Sequence, residues 1–135
     1  NEPVSKIMTS EVETVHLGQK LSEVRRMLAN NPYHHVPVVS GEKLIGLITA
    51  TDMLKLSLAV YGVDERAVDV MLDSQHTIES VMTKELTTIG VKDTVRTAAE
   101  HLGEGQYHSL PVVDGDKLVG LVTSTDVIRY LLAQY

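Results

Sequence analysis

The chain has 135 residues, of which 43% are apolar and 22% are charged, a balance typical of a folded globular protein. Its formal net charge of -6 disfavours non-specific binding to nucleic acid or to anionic membranes, because both need an excess of lysine and arginine. The sequence has no cysteine, so disulfides, zinc–thiolate sites and thiol nucleophiles are excluded. It also has no apolar run long enough to span a membrane and no signal-like N-terminus, which predicts a soluble cytoplasmic protein. The first residue is not methionine, which indicates a piece of a longer protein.

An internal repeat dominates the sequence. Residues 33–52, YHHVPVVSGEKLIGLITATD, align without a gap on residues 107–126, YHSLPVVDGDKLVGLVTSTD, with 13 of 20 positions identical. The offset is 74 residues, and the upstream stretch from Ile7 aligns on the stretch from Val81 in the same register. A constant offset over this length predicts two copies of one structural unit, at residues 1–60 and 78–135, with a connector at 61–77.

In chain order, each copy predicts a strand, a helix, two strands and a second helix. The first strand is expected at 14–17 and again at 88–91. The helix that follows has an apolar face at three-and-four spacing, formed by Leu21, Val24, Met27 and Leu28 in one copy and by Val95, Ala98, Ala99 and Leu102 in the other. Two β-branched runs around the glycine turns SGEK and DGDK predict a hairpin. Thr51 with Asp52, and Thr125 with Asp126, predict the start of the second helix, with threonine as the N-cap.

This order gives a mixed α/β fold class. Neither copy has enough apolar surface for a core of its own, so we expect two β-α-β-β-α repeats to pack sheet to sheet about a pseudo-two-fold axis. Between the copies, residues 59–77 have no counterpart. Their apolar positions Val63, Ala67, Val70 and Met71 predict a further helical turn or two.

The end of the repeated motif GLITATD, residues 46–52, has features that suit a nucleotide. Gly46 lets a ligand or a neighbouring strand approach the backbone, and Thr49 places a hydroxyl where the strand pattern predicts an apolar residue. A helix start at Thr51 offers N–H groups and a dipole that favour phosphate, while the Asp52 carboxylate can accept hydrogen bonds from ribose hydroxyls. The same residues also form a good helix start without a ligand, but their recurrence in the second copy favours the functional interpretation.

Each copy contains an apolar residue followed by PVV, then a glycine turn, and then the motif G-h-x-T-x-x-D, where h is an apolar residue and x is any residue. This pattern resembles that of the CBS (cystathionine-β-synthase) domain, and two such copies resemble a Bateman module. The resemblance covers roughly residues 4–58 and 78–132. It implies a non-catalytic regulatory module without an obligatory cofactor. Such modules bind adenosyl ligands, here AMP foremost and otherwise ADP, ATP or S-adenosylmethionine, in two clefts between the repeats. They also pair into a disk-shaped homodimer of four repeats.

The resemblance also implies which residues line each cleft. Asp52 and Asp126 match ribose-binding aspartates, and Thr49 and Thr123 match hydroxyls near the phosphate. The cleft-lining leucines and the adenine-side residues of the other repeat's opening segment are Leu47, Thr83 and Leu86 for the Asp52 cleft, and Leu121, Thr9 and Val12 for the Asp126 cleft. Thr51 and Thr125 complete the two sets at the helix starts.

Histidine and tyrosine residues stand at the entrance of each hairpin. Tyr33 and Tyr107 precede the hairpin proline by four residues and either stack on a base or cap the edge of the core. His34 and His108 lie where AMP-binding members of the family place a basic residue against phosphate. The next position, frequently arginine in that family, is His35 in one copy and Ser109 in the other. Because histidine loses its charge near neutral pH, we expect unequal clefts that favour a monophosphate or an uncharged adenosyl ligand over a triphosphate.

Two other classes of function stay open. An enzyme would have to use His34, His35 and Asp52, but neighbouring residues on a strand point to opposite faces, and the remaining histidines have no metal-site spacing. A protein-interaction scaffold with empty clefts is the second alternative, against which the intact aspartates and threonines argue. The helices MLKLSLAVY and VIRYLLAQY have more apolar surface than one side can bury, which predicts an interface. The resemblance implies a second copy as the partner, and a regulated effector protein is compatible with either the regulatory or the scaffold function.

Overall fold

A computed structural model describes residues 2–31, 33–58 and 64–135, and its fold is mixed α/β, as predicted. Its helices and strands are α1 Leu21–Asn30, β1 His35–Ser40, β2 Lys43–Thr49, α2 Ala50–Leu58, α3 Glu65–Gln75, α4 Ile78–Val81, β3 Ile89–Gly90, α5 Val95–Gly103, β4 Ser109–Asp114, β5 Lys117–Thr123 and α6 Ser124–Leu132. A turn of 3-10 helix at Val4–Lys6 precedes them. No helix in the described ranges combines the length and the hydropathy that a membrane span needs.

The chain forms two compact units that do not coincide with the two sequence repeats. Unit 1 contains Asn1–Val12, Glu42–Leu44 and Thr87–Tyr135, and unit 2 contains Glu13–Gly41 and Ile45–Leu86. Each unit therefore combines most of one repeat with a short segment that opens the other: residues 1–12 belong to unit 1, and residues 78–86 belong to unit 2. The domain boundaries at residues 60 and 78 remain a prediction from the sequence.

Unit 2 is built around the first hairpin and α1. β1 and β2 are neighbouring strands, joined at Gly41, whose φ of 63° is the left-handed value that a tight hairpin turn needs. Its buried core consists of Val15, Leu21, Val24, Val36, Val38, Ile48, Met53, Leu72, Ile78 and Met82. The predicted apolar face of α1 is confirmed, since Met27 and Leu28 pack against this cluster beside the buried Leu21 and Val24.

Unit 1 is built in the same way around the second hairpin and α5. β4 pairs antiparallel with β5, so that Ser109 lies opposite Thr123 and Pro111 opposite Leu121, and it pairs in parallel with β3. Its buried core consists of Val4, Ile89, Ala98, Leu102, Leu110, Val112, Val122 and Val127. The predicted face of α5 is confirmed, because Ala98 and Leu102 lie in this core, Val95 is buried, and Ala99 packs against it.

The strand predicted at 14–17 is wrong in the first copy. Val15 makes a single parallel bridge to Val38, after which the chain turns and leaves Leu17 44% exposed. Two side-chain hydrogen bonds hold this turn: the N–H of His16 donates to Gln19 Oε1 at 2.9 Å, and the N–H of Gly18 donates to His16 Nδ1 at 3.0 Å. The second copy does form a strand, the two-residue β3. The second copy has the equivalent of the first bond, from the N–H of Gly90 to Asp93 Oδ2 at 2.8 Å, and still forms its strand. The bond from Gly18 to the His16 side chain is therefore the one that distinguishes the first copy, because Gly90 has no side chain to accept it.

The connector contains a longer helix than its apolar pattern predicts. α3 has 11 residues, and Asp64 caps it by accepting a hydrogen bond from the N–H of Ala67 at 3.0 Å. Its buried apolar residue is Leu72, 2% exposed, whereas the predicted Val70 is 68% exposed. The other predicted position, Val63, lies outside the described residues. The polar N-cap, rather than an apolar stripe, explains where this helix begins.

The two motif glycines accommodate methionines from the opening segments. A Cβ at Gly46 would collide with the Sδ of Met82 and lie 2.8 Å from its Cγ. A Cβ at Gly120 would lie 2.5 Å from the Sδ of Met8 and 2.9 Å from the carbonyl oxygen of Thr9. The close approach predicted at Gly46 is therefore made by a neighbouring segment of this chain.

We expect Gly46→Ala to destabilise the protein by about 1–3 kcal/mol, because the added methyl group overpacks the contact with Met82. Combining it with Met82→Ala should cost less than the sum of the two single changes, which urea denaturation can measure. Gly103→Ala is the control, because a Cβ there meets nothing within 4 Å. Strictly additive losses for Gly46→Ala and Met82→Ala would contradict the proposed contact.

Candidate functional site

The two T-x-x-D motifs form the same strand-to-helix junction. β2 ends at Thr49 where α2 begins, and β5 ends at Thr123 where α6 begins. The hydroxyl of Thr49 accepts a hydrogen bond from the N–H of Asp52 at 3.1 Å, and Oδ2 of Asp52 accepts one from the N–H of Thr49 at 3.0 Å. Thr123 and Asp126 repeat this exchange at 3.1 and 2.9 Å. Each motif is therefore a capping box, in which two side chains satisfy two backbone donors reciprocally.

The prediction that Thr51 and Thr125 are the N-caps is wrong. The cap of α6 is Thr123, and Thr49 makes the same hydrogen bonds at the start of α2. Thr51 and Thr125 are exposed residues of the first helical turn. The reason is the spacing: a residue at the cap and a residue three positions later face each other across one turn, whereas sequence neighbours do not.

The chain itself uses most of the backbone donors that the sequence offered to a phosphate. The N–H of Ala50 donates to the carbonyl oxygen of His34 at 2.8 Å, and the N–H of Ser124 donates to that of His108 at 3.1 Å. Among the described residues, the N–H of Thr51 and the N–H of Thr125 have no acceptor outside their helices, and the first turn of a helix offers them none within it. The second carboxylate oxygen, Oδ1, of Asp52 and of Asp126 has no hydrogen bond to any described residue either. Each junction thus keeps one donor and one acceptor for a ligand.

The structure brings the predicted opening-segment residues beside each junction. Thr83 and Leu47 exchange two backbone hydrogen bonds, at 2.9 and 3.1 Å, and Thr9 and Leu121 do the same at 2.8 and 2.9 Å. Because alternate residues of a strand share a face, Leu47 lies on the same side of β2 as Thr49, and Leu121 on the same side of β5 as Thr123.

The outer adenine-side predictions are less closely tied to the junctions. Leu86 and Val12 are half-buried and lie three residues beyond Thr83 and Thr9, outside the pairing with β2 and β5. Each junction therefore has its leucine, its cap residues and one opening-segment threonine fixed by hydrogen bonds, with the outer apolar residue further along the chain.

The entrance residues differ between the copies. His34 and His108 are exposed and precede the strands, because β1 begins at His35 and β4 at Ser109. Tyr33 packs against the core of unit 2, and its hydroxyl donates to Glu13 Oε2 at 3.2 Å. Burial and this hydrogen bond raise the pKa of Tyr33 above its usual value. Tyr107 is 38% exposed, so the core-edge role fits Tyr33 alone.

Ser109 has a feature that the sequence did not reveal. It is 5% exposed, and its hydroxyl is buried without a hydrogen-bond partner among the described residues. Because Ser109 pairs directly with Thr123, the two side chains lie on the same face of the hairpin. An unpaired buried hydroxyl is costly, so this one is suited to a hydrogen bond with a ligand in the Asp126 junction.

Comparison with known proteins gives a consistent family assignment. A family model described as CBS domain matches residues 4–59 and 78–133. Protein MJ1225 of Methanocaldococcus jannaschii is 28% identical over 132 residues, which are 96% of this chain and 47% of that protein. The homoserine O-acetyltransferase of Methanohalobium evestigatum is 31% identical over 130 residues, 95% of this chain and 24% of that protein. The chain therefore spans between a quarter and a half of these curated relatives.

Solved structures match over nearly the whole chain. The CBS domain pair of protein MJ0100, in complex with 5′-methylthioadenosine and S-adenosyl-L-methionine, has a TM-score of 0.78 at 27% identity and covers 98% of both chains. CBSX2, a protein of Arabidopsis thaliana, was solved in complex with AMP and has a TM-score of 0.82 at 21% identity, covering 99% of this chain and 98% of its own. The second match shows a common fold.

We expect Asp126→Ala to destabilise the ligand-free protein by about 1 kcal/mol, because α6 loses half of its capping box. Asp126→Glu should cost less, since glutamate also closes a capping box from this position. Urea denaturation without added nucleotide measures both. Thr125→Ala is the matched control, because its exposed side chain lies outside the box, and an equal loss there would argue against the capping role of Asp126.

Proposed function

Because the chain belongs to the CBS domain family, we propose that it is a non-catalytic regulatory module that binds an adenosyl ligand at each junction and transmits occupancy to a partner. The observation that supports this best is the repeated geometry. In both junctions, an aspartate uses only one carboxylate oxygen in the capping box, and an opening-segment threonine is hydrogen-bonded to the adjacent strand. A helix needs a cap, but a cap needs no second segment beside it.

In the proposed complex, the ribose hydroxyls donate to the Oδ1 atoms of Asp52 and Asp126. The capping hydrogen bonds to Oδ2 already orient each carboxylate, so binding costs little side-chain entropy. The adenine lies between the strand leucine and the opening segment: Leu47, Thr83 and Leu86 at one junction, and Leu121, Thr9 and Val12 at the other. The 5′ group points toward the hydroxyl of Thr49 and the N–H of Thr51 at one junction, and toward the hydroxyl of Thr123 and the N–H of Thr125 at the other.

The proposed ligand has a small 5′ group with at most one phosphate. Each helix start keeps a single backbone donor, and the nearby His34 and His108 are exposed, so a triphosphate would find few permanent positive partners. We propose AMP for the Asp52 junction, where His34 and His35 adjoin. The neutral, buried hydroxyl of Ser109 favours an uncharged 5′ group, as in 5′-methylthioadenosine, at the Asp126 junction. The MJ0100 domain pair binds that compound.

Titration calorimetry and thermal shift with AMP, ADP, ATP, S-adenosylmethionine and 5′-methylthioadenosine test this proposal. A ligand that binds only the folded state raises the melting temperature with concentration. We expect Asp52→Ala and Asp126→Ala each to remove one equivalent of binding. The glutamate variants should keep the cap yet weaken binding, because the extra methylene displaces Oδ1, which separates the ligand role from the structural one.

Glu100→Ala is the control for these titrations, because this carboxylate is exposed on α5 and belongs to neither T-x-x-D motif. If no adenosyl compound raises the melting temperature, the scaffold function is favoured and the sensor function is wrong. If ATP binds more tightly than AMP at both mildly acidic and mildly basic pH, the proposed preference for a small 5′ group is wrong.

We also propose that occupancy is transmitted to an effector in the cytoplasm, either a neighbouring domain or a separate protein. The chain matches only 24% of the homoserine O-acetyltransferase of Methanohalobium evestigatum, which supports the idea that this kind of unit accompanies a larger protein.

A second copy of the chain is the other proposed partner. α6 exposes Ile128 by 56%, Leu131 by 51% and Leu132 by 68%, beside a groove lined by Val95, Ala99, Val127 and Tyr130 together with the charged Glu2 and Arg96. Exposed apolar side chains on one helix favour association, and a two-fold dimer lets the same surface bind itself.

We expect Ile128→Lys combined with Leu132→Lys to convert a dimer into a monomer, because a buried lysine at such a contact loses its hydration. Sedimentation velocity measures the change. Val70→Lys on α3 is the control, since Val70 is equally exposed but lies in the other unit. A native chain that sediments as a monomer would contradict the dimer.

A further inference from the structure

The connector helix α3 docks on α1 through a partly sheltered ion pair. Nε of Arg25 donates to Oδ1 of Asp69 at 2.7 Å, and Nη2 donates to Oε1 of Glu65 at 3.2 Å. The side chains of Arg25 and Asp69 are 18% and 23% exposed, whereas Glu65 is 77% exposed, so Asp69 is the effective partner. Asp69 raises the pKa of Arg25 further above its usual value, consistent with a favourable pair.

In a second contact, a residue of α3 caps the N-terminus of α1. The N–H of Ser22 donates to Oδ1 of Asp73 at 2.9 Å, and its hydroxyl donates to Oδ2 at 2.7 Å. Ser22 is the second residue of α1 and 1% exposed. An N–H at that position has no partner inside its own helix, and the positive end of the helix favours a carboxylate. Asp73 therefore caps α1 from a distance of 51 residues in the sequence.

Comparison of the two repeats shows that this arrangement is specific to the first. At the 74-residue offset, Lys20 of the first copy corresponds to Thr94 of the second, and Arg25 corresponds to Ala99. The hydroxyl of Thr94 accepts from the N–H of Thr97 at 3.1 Å, so α5 is capped by its own residue. A lysine ammonium cannot accept a hydrogen bond, so the Lys20 side chain cannot cap α1 in this way. Glu23 Oε1 accepts from the N–H of Lys20 at 3.4 Å, and the acceptor for the N–H of Ser22 comes from α3.

α3 leads directly to the opening segment at the Asp52 junction. The N–H of His76 donates to the carbonyl oxygen of Leu72 at 2.9 Å, and Thr77 and Ser80 cap α4 reciprocally. Two residues after α4, Thr83 pairs with Leu47. The equivalent segment in unit 1 is held differently, by backbone bonds from Val4 to Asp93 at 2.7 Å and from Val95 to Glu2 at 2.8 Å.

We propose that Ser22 and Arg25, acting through Asp73 and Asp69, are positioning residues for the Asp52 junction. The docking of α3 on α1 fixes Thr83 and Leu86 relative to Leu47. The geometry of this junction therefore depends on a charged contact, and that of the Asp126 junction does not. The ligand consequence, a selective loss of affinity at one site, rests on the proposed function, whereas the positioning does not.

Hydrogen exchange of single amides tests the positioning directly. The N–H of Thr83 donates to Leu47 and that of Thr9 donates to Leu121, so the two amides report on equivalent contacts in one molecule. Asp73→Asn removes the charge with little change of shape. We expect the protection of Thr83 to fall by about tenfold relative to Thr9, the scale of one lost charged hydrogen bond.

The ligand arm uses backgrounds in which one site remains. In Asp126→Ala, Asp73→Asn should weaken AMP binding at the Asp52 junction by about tenfold. In Asp52→Ala, the same change should leave binding of 5′-methylthioadenosine at the other junction unaltered. Arg96→Ala is the matched control, because it removes only an exposed arginine, at 3.8 Å from Glu100 on α5. Arg25→Asp should also lower the protection of Thr83, and combining it with Asp69→Arg should restore part of that protection, because the exchange recreates the ion pair.

The outcomes separate the two proposals. If the protection of Thr83 and Thr9 falls equally, the contact only stabilises the fold and the positioning role is wrong. If Thr83 alone responds and no adenosyl compound binds the native chain, the positioning role stands and the proposed function fails. Should Asp73→Asn not fold, Arg25→Gln decides, because it removes the ion pair with Asp69, and an unchanged ratio of Thr83 to Thr9 protection in that variant overturns the proposal.

Discussion

The structure depends on two short backbone pairings between chain segments that are far apart in sequence. Thr83 beside Leu47, and Thr9 beside Leu121, each place an opening segment against the strand that ends at a T-x-x-D motif. A side chain at Gly46 or Gly120 would crowd these pairings, because the preceding methionine fills that space. The glycine of the motif thus allows the opening segment to pack against the strand. The threonine and aspartate that follow therefore belong to a junction that the strand and the opening segment form together.

The aspartates combine a structural role with the proposed functional one. Oδ2 closes the capping box, while Oδ1 faces no donor within the described residues. An unliganded helix start and a ribose site are therefore not alternatives, since the first orients the carboxylate for the second. A ligand that occupies such a junction also stabilises the helix that begins there. Ligand occupancy can then be transmitted to other parts of the molecule through α2 or α6.

The sequence predicted what depends on periodicity and repetition. The duplication, both hairpins and the apolar faces of α1 and α5 follow from spacing alone, and the structure agrees. Prediction from the sequence failed where polar side chains determine the local structure. The His16 side chain holds a turn where a strand was predicted, Asp64 caps a longer α3, and the cap of α6 lies at Thr123 instead of Thr125.

Long-range polar contacts were out of reach for a different reason. Asp73 and Ser22 are ordinary residues in their own segments, and only the folded chain makes one the cap of the other. The burial of the Ser109 hydroxyl is likewise a property of the hairpin face and not of the local sequence. The identity of the site residues came from the resemblance of the motifs, because no spacing rule links Thr9 or Thr83 to an aspartate more than thirty residues away.

The exchange of opening segments has a consequence for the origin of the fold. Residues 1–12 belong with the second hairpin, and residues 78–86 belong with the first. In a single ancestral repeat, the methionine segment could pack against a hairpin in this way only if two copies exchanged these segments. Such a molecule is a domain-swapped dimer, and joining its two chains end to end, with α3 as the added link, gives the present topology. A tandem duplication of such a repeat would place in one polypeptide an exchange of segments that a single repeat could make only with a second copy.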